Sequence, residues 1–131
     1  MKQCFPFSAT MAPLRWNTTG ITVAGKLNSS NATSDYLNTP TGIALDSFDS
    51  LYVADNLNQR IQKFSSGNTT GTTVCGQPNG TVGSTPSRLN SPYDVAVDSN
   101  GDMYVVDTNN NRVQLWRANA SAGITIANNG K

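Results

Sequence analysis

The chain has 131 residues, nine Lys and Arg against eight Asp and Glu, no His, and a formal net charge of +1. That length fits one domain and not two, and the near-neutral charge supplies no basic field for unspecific binding to nucleic acid or anionic lipid. The lack of His excludes a His base, a His-ligated zinc and a Ser-His-Asp triad.

Charged residues make up 13% of the chain, about half the usual share of roughly 25%. Polarity comes from 16 Asn, 13 Ser and 15 Thr. β-Branched and aromatic residues recur among them, which is not a disordered composition.

Residues 1–12 hold one early Lys and a short apolar stretch broken by Pro6 and Ser8. They lack the apolar run of a signal peptide, and no run of 18 apolar residues occurs anywhere, so no transmembrane helix is expected. Either the protein is intracellular or its true N-terminus lies elsewhere. Cys4 and Cys75 stand 71 residues apart with no CxxC. A bridge between them needs an oxidising compartment. The apolar setting Thr73-Val74-Cys75 favours a buried free Cys75.

From residue 37 the chain repeats itself. Leu37–Phe64 aligns without a gap on Leu89–Trp116 at an offset of 52, with 12 of 28 positions identical. Gly71–Gly76 matches Gly20–Gly25 before it and Gly123–Ala127 after it. Four segments therefore follow: 1–12 with no counterpart, 13–36 as the end of one unit, 37–88 as a complete unit, and 89–131 as a nearly complete one.

Each unit predicts four short strands. In the first they are strand a at Gly42–Asp46, b at Leu51–Asp55, c at Arg60–Phe64 and d at Thr72–Gly76. In the second they are Asp94–Asp98, Met103–Asp107, Arg112–Trp116 and Gly123–Ala127. Residues 20–25 predict the strand d of a preceding unit. Asn100-Gly101 between two apolar runs is a strong hairpin signal, because both residues accept positive φ. Four antiparallel strands at a period of about 50 residues indicate β-propeller blades, each needing a neighbour on either face. The fold class is all-β, a partial propeller of four-stranded blades.

Pro40-Thr41-Gly42-Ile43-Ala44-Leu45-Asp46, then Leu51–Asp55, then Asn58-Gln59-Arg60-Ile61-Gln62-Lys63-Phe64, resembles an NHL repeat. The second unit resembles it through Pro92, Val95–Asp98, Tyr104–Asp107 and Asn110–Gln114, and departs at Asp94, where the family often has Gly. The resemblance implies a six-bladed parent fold and a binding or assembly role. Six blades need roughly 310 residues, so the chain is expected to be a fragment, or else three copies form a homo-trimeric ring.

Asp55 with Arg60 and Asp107 with Arg112 recur at one spacing, across a tight turn. Repetition in every unit points to a structural clasp rather than a ligand site. Asp46…Asp49 and Asp98–Asp102 resemble pieces of a calcium loop but lack its ligand set, and read as turns. Phe64 and Trp116 are equivalent and read as packing between blades. Basic residues are scattered, so RNA recognition, known for some NHL proteins, is not expected here.

Six sequons lie in expected loops, at Asn17, Asn28, Asn31, Asn68, Asn79 and Asn119. They are candidate N-glycosylation sites and favour an extracellular setting. The expected function is a non-catalytic module that binds a protein or a glycan through a loop face. The candidate contacts are Asn56, Leu57, Thr108 and Asn109, which differ between units where the framework does not. The alternative is part of a propeller enzyme of the lactonase or lyase type, which the resemblance also allows. No cofactor or metal is expected.

Overall fold

A computed structural model describes residues 19–26 and 32–129. Its strands are β1 (Pro40–Leu45), β2 (Leu51–Asp55), β3 (Arg60–Phe64), β4 (Thr72–Gly76), β5 (Pro92–Val97), β6 (Met103–Asp107), β7 (Arg112–Trp116) and β8 (Ile124–Asn128). They form two antiparallel sheets, β1-β2-β3-β4 and β5-β6-β7-β8. These are two propeller blades, all-β as the periodicity predicts.

Strands b and c of both units, and d of the first, fall where the alternation predicts them. The inner strand starts two residues earlier than expected in each unit, at Pro40 and Pro92. Each proline pairs with the acid that ends strand b, Pro40 with Asp55 and Pro92 with Asp107, and a bulge follows. The first residue of a strand is a place where proline's missing N–H costs no ladder bond. The last strand runs one residue further than expected, to Asn128.

Residues 20–25 form no strand. A strand needs a ladder partner. By the repeat, that partner would be the strand c of the same unit, at about residues 8–13, which lie outside the described residues.

The core lies between the sheets. Tyr52, Ala54, Ile61 and Cys75 of the first blade join Leu89, Val95, Met103, Val105 and Trp116 of the second in one buried cluster. On β6 the alternation is plain: Met103, Val105 and Asp107 are buried, while Tyr104 and Val106 point out. Burying each large apolar side chain stabilises the pair by about 1.5–3 kcal/mol. The sheets meet chiefly through β1, β2 and β5, so strand a is innermost and strand d outermost. At the closest approach stands Gly42, where a Cβ would lie 2.2 Å from Asp94 Oδ1 and 2.6 Å from its Cα.

Loops sort by face as the hairpin order requires. The b–c turns bond to the d–a loops: Leu57 N–H donates to Asn38 O and Asn109 N–H to Asn90 O, both at 3.1 Å. The a–b and c–d loops line a common cleft at the opposite end. Cys75 is buried and free, its Sγ 3.6 Å from Met103 Sδ. Burial pushes its thiol pKa well above the usual range. Cys4 lies outside the described residues, and the bridge to it with it. Among the described residues no helix is long and apolar enough to cross a membrane.

Candidate functional site

The b–c face is built on two copies of one polar cluster. A single 3-10 turn follows each strand b, at Asn56–Asn58 and Thr108–Asn110, and closes on a left-handed residue, Gln59 or Asn111. That turn brings arginine back beside aspartate. Arg60 Nε lies 2.8 Å from Asp55 Oδ2, and Arg112 Nε 2.7 Å from Asp107 Oδ2. Asn58 Nδ2 donates to both Asp55 oxygens at 3.1 and 2.9 Å, and Asn110 Nδ2 to Asp107 at 2.8 Å. The backbone N–H groups of Asn38 and Asn90 complete the pattern at 2.7 Å each.

Each guanidinium also gathers the d–a loop. Arg60 donates to the carbonyls of Pro78 (3.0 Å), Thr33 (2.9 Å) and Tyr36 (3.1 Å), and to that of Ala32. With Asp55, these use all five of its N–H groups. Arg112 reaches Ser84 (2.8 Å), Thr85 (3.1 Å) and Arg88 (2.9 Å), each 52 residues beyond its Arg60 counterpart. The counterpart of Pro78 is residue 130, outside the described residues. Both expected ion pairs are thus present: Arg60 is buried with all five N–H groups used, and Arg112, 10% exposed, uses four among the described residues. The spacing of Asp and Arg does not reveal Asn58 and Asn110, or the backbone of Asn38 and Asn90. The signal was there: all four are identical between the units.

The four candidate contacts divide. Leu57, Thr108 and Asn109 are exposed at the turn tips. Asn56 is half-buried, and its Nδ2 donates to Pro92 O of the next blade at 3.0 Å. Beside it Ser91 N–H donates to Gln59 Oε1 at 2.5 Å and Thr41 Oγ1 to Tyr93 O at 2.6 Å. Asn56 is therefore engaged in holding the blades together. Asn109 Nδ2 donates to Ser91 Oγ at 2.9 Å.

The a–b and c–d loops enclose a cleft of about 480 Å³ between the blades, with Asp46, Phe48, Tyr52, Lys63, Asn100 and Asn119 in its lining. Asp46 accepts from the N–H groups of Phe48 and Ser50 at 2.9 Å each and from Tyr52 Oη at 3.2 Å. Lys63 Nζ lies 3.1 Å from Asp46 and 4.9 Å above the Tyr52 ring. Burial disfavours the Asp46 carboxylate, but these amides and the lysine outweigh it and hold the carboxyl well below its usual range. In the second blade Leu115 replaces Lys63, and a different pair, Arg117 with Asp102 at 2.6 Å, holds the c–d turn. Phe48 is 82% exposed at the mouth of the cleft. Sequence reading passed over it because its counterpart is Asn100, and no pattern links the two.

Of the sequons, Asn68, Asn79 and Asn119 are exposed. Asn79 Oδ1 accepts from Thr81 Oγ1 at 2.7 Å and Thr81 N–H at 3.2 Å, and Asn68 Oδ1 from Thr70 N–H at 3.0 Å. Asn17, Asn28 and Asn31 lie outside the described residues. No group of three or more His, Cys, Asp or Glu suited to a metal ion occurs among the described residues.

No curated protein sequence matches the chain. Among solved structures, it is similar to a chain in the crystal structure of a nidogen/laminin complex, with a TM-score of 0.56 and 21% identity. The match covers 71% of this chain and 32% of that one, so the chain spans about a third of that neighbour's length. At such identity the likeness is one of fold. The family pattern for the NHL repeat matches residues 37–64 and 89–115, each running through β-strands a to c and the clasp. The chain therefore carries two NHL repeats in a β-propeller type of fold, one on each described blade.

Proposed function

We propose that the chain is a non-catalytic protein-interaction module that binds through a loop face. One observation carries the reading: Phe48, 82% exposed, stands over an inter-blade cleft at a position that the other blade fills with Asn100. Aromatic side chains beside pockets are the usual anchors of protein interfaces. A framework residue would repeat, and Phe48 does not. Leu57, Thr108 and Asn109 form a second, more polar patch on the opposite face.

The four most buried carboxylates support a non-catalytic role. Asp55 and Asp107 are committed to arginine, asparagine and backbone, Asp46 to two amides and a lysine, and Asp102 to Arg117 and the Ala118 amide. A reacting acid or base needs a group free to exchange a proton with substrate. Glycan binding is the second reading. The cleft's Ser47, Ser99, Asn100 and Asn119 favour it, and the exposed sequons Asn68, Asn79 and Asn119 suit an extracellular glycoprotein.

Protein and glycan arrays probed with wild type, Phe48→Ser and the double variant Thr108→Ala/Asn109→Ala test this. The expected result is saturable binding to protein, at least tenfold weaker for Phe48→Ser. Loss only in the double variant moves the site to the b–c face. Binding to glycans alone selects the second reading, and binding untouched by either variant contradicts a loop-face site. Metal analysis by mass spectrometry separates the enzyme alternative: stoichiometric calcium or zinc in folded protein revives it.

A further inference from the structure

Of the three exposed sequons, one opens onto the cleft that holds Phe48. Asn119 lines it from the c–d turn of the second blade, and Phe48 from the a–b turn of the first. Asn68 is not part of that lining. Asn79 belongs to the d–a loop, between β4 and β5, on the opposite face.

The c–d turn has the same backbone in both blades. Ala120 N–H donates to Arg117 O at 2.9 Å, as Asn68 N–H does to Ser65 O. The residue before each donor is left-handed, Asn119 with φ of 63° and Gly67 with φ of 74°. Glycine and asparagine enter that region at least cost, so the turn alone accounts for either residue. It does not account for the side chain. An asparagine serving a turn usually bonds the backbone two residues on. Asn68 and Asn79 do so, through the N–H groups of Thr70 and Thr81. The Asn119 carboxamide and the Ser121 hydroxyl make no hydrogen bond among the described residues, and both residues are exposed. These are the two groups that define a sequon, the amide at its first position and the hydroxyl at its third.

The cleft beside them suits a sugar. Its volume of about 480 Å³ falls within the roughly 300–1,000 Å³ of small-ligand sites. Ser47, Ser99 and Asn100 present hydroxyl and amide groups to sugar hydroxyls. The Phe48 ring presents a flat apolar face, against which the C–H face of a pyranose gains dispersion contacts.

We propose that Asn119 is N-glycosylated and that the first sugars of its glycan lie in the inter-blade cleft over Phe48, closing the chain's own binding site. The control of binding rests on Phe48 being the anchor of that site; the shielding of Phe48 does not. The donor class is a lipid-pyrophosphate-linked oligosaccharide. Asn119 Nδ2 bonds to the anomeric carbon and loses one proton. The C–O bond to pyrophosphate breaks, and the lipid pyrophosphate leaves with the electron pair.

Secretion of the full chain from cultured animal cells, behind a cleavable leader, supplies the protein for the test. Tryptic mapping should find residues 118–131, released by cleavage after Arg117, carrying a glycan. Hydroxyl-radical footprinting then reads Phe48. Its oxidation should be severalfold slower in the glycosylated protein than after glycosidase release, while Leu57 on the opposite face reacts equally in both. Ser121→Ala removes the sequon and keeps the left-handed Asn119, and should expose Phe48 as fully as release does. Asn119→Gly, which copies the first blade, is the second variant should Ser121→Ala misfold. On protein arrays the glycosylated chain should bind severalfold more weakly than Ser121→Ala. An unmodified Asn119, or Phe48 oxidised equally with and without the glycan, overturns the proposal. Equal oxidation together with lost binding in Phe48→Ser removes the shielding and leaves the anchor standing. Shielding together with full binding by Phe48→Ser removes the anchor, and with it the control of binding.

Discussion

The two blades are alike at one end and different at the other. At the b–c end, residues 55–60 and 107–112 share one scheme: aspartate held by asparagine and arginine, and the arginine bonded to three loop carbonyls at a constant offset. At the a–b end, the first blade has Phe48, Asp49 and a Lys63–Asp46 pair, and the second has Asn100, Gly101 and an Arg117–Asp102 pair. The repeated end holds the d–a loop against the sheet, a task every blade shares. The divergent end is released from that task, and it carries the exposed aromatic. Two blades in one chain thus supply an internal control for separating architecture from recognition.

The largest expected effect breaks the repeated end. Arg60→Ala leaves Asp55 fully buried and unpaired, which costs about 3–5 kcal/mol. Arg112→Ala should cost clearly less, because its side chain is 10% exposed against 1% for Arg60. Denaturant midpoints of the two variants check the order, and equal losses would remove the distinction.

Next comes the blade contact. Gly42→Ala drives a methyl into Asp94 and should cost about 1–3 kcal/mol, the range for overpacking. Asp94→Ala, at the equivalent position, adds no atom to this contact, removes only the acceptor of the Val95 N–H, and should be close to neutral. Thermal unfolding of the pair reads the asymmetry.

Acid behaviour sharpens the divergent end. The folded pKa of Asp46 is depressed, so its contribution is present above the unfolded value, about 4, and is lost as pH falls through the folded value. Asp46→Asn should lower stability at neutral pH by about 1 kcal/mol and flatten the decline below about pH 4. A stability–pH curve identical to wild type would show that the lysine, tyrosine and amide contacts do not act through its charge.

The smallest effect lies in the a–b turns. Asp49 sits at φ of 58° where Gly101 sits at 80°. Asp49→Gly should leave stability within about 0.5 kcal/mol or raise it, while Gly101→Asp should lower it by up to about 1 kcal/mol. Chemical unfolding measures both.

Most of the fold was legible because the alternation is strict and occurs twice. Strand a was misjudged by two residues because proline reads as a boundary, whereas Pro40 and Pro92 each open the ladder. Residues 20–25 read as a strand on local pattern, but pattern cannot supply a pairing partner. The clasp was legible in its charged residues and illegible in its reach. The groups Arg60 binds are backbone carbonyls some 24 to 28 residues upstream and 18 downstream, and a carbonyl leaves no mark in a sequence. Asn56 looked variable and therefore free, yet it differs from Thr108 at a position that on the first blade bonds the next blade. Phe48 was invisible as a site residue because exposure is a property of the fold.

Denaturant unfolding of Arg60→Ala beside Phe48→Ser is the most direct test of this division between framework and recognition. The account predicts a midpoint lowered by several kcal/mol of stability for Arg60→Ala, with Phe48→Ser within about 0.5 kcal/mol of wild type. An Arg60→Ala chain as stable as wild type, or a Phe48→Ser chain that loses as much as Arg60→Ala, would contradict it.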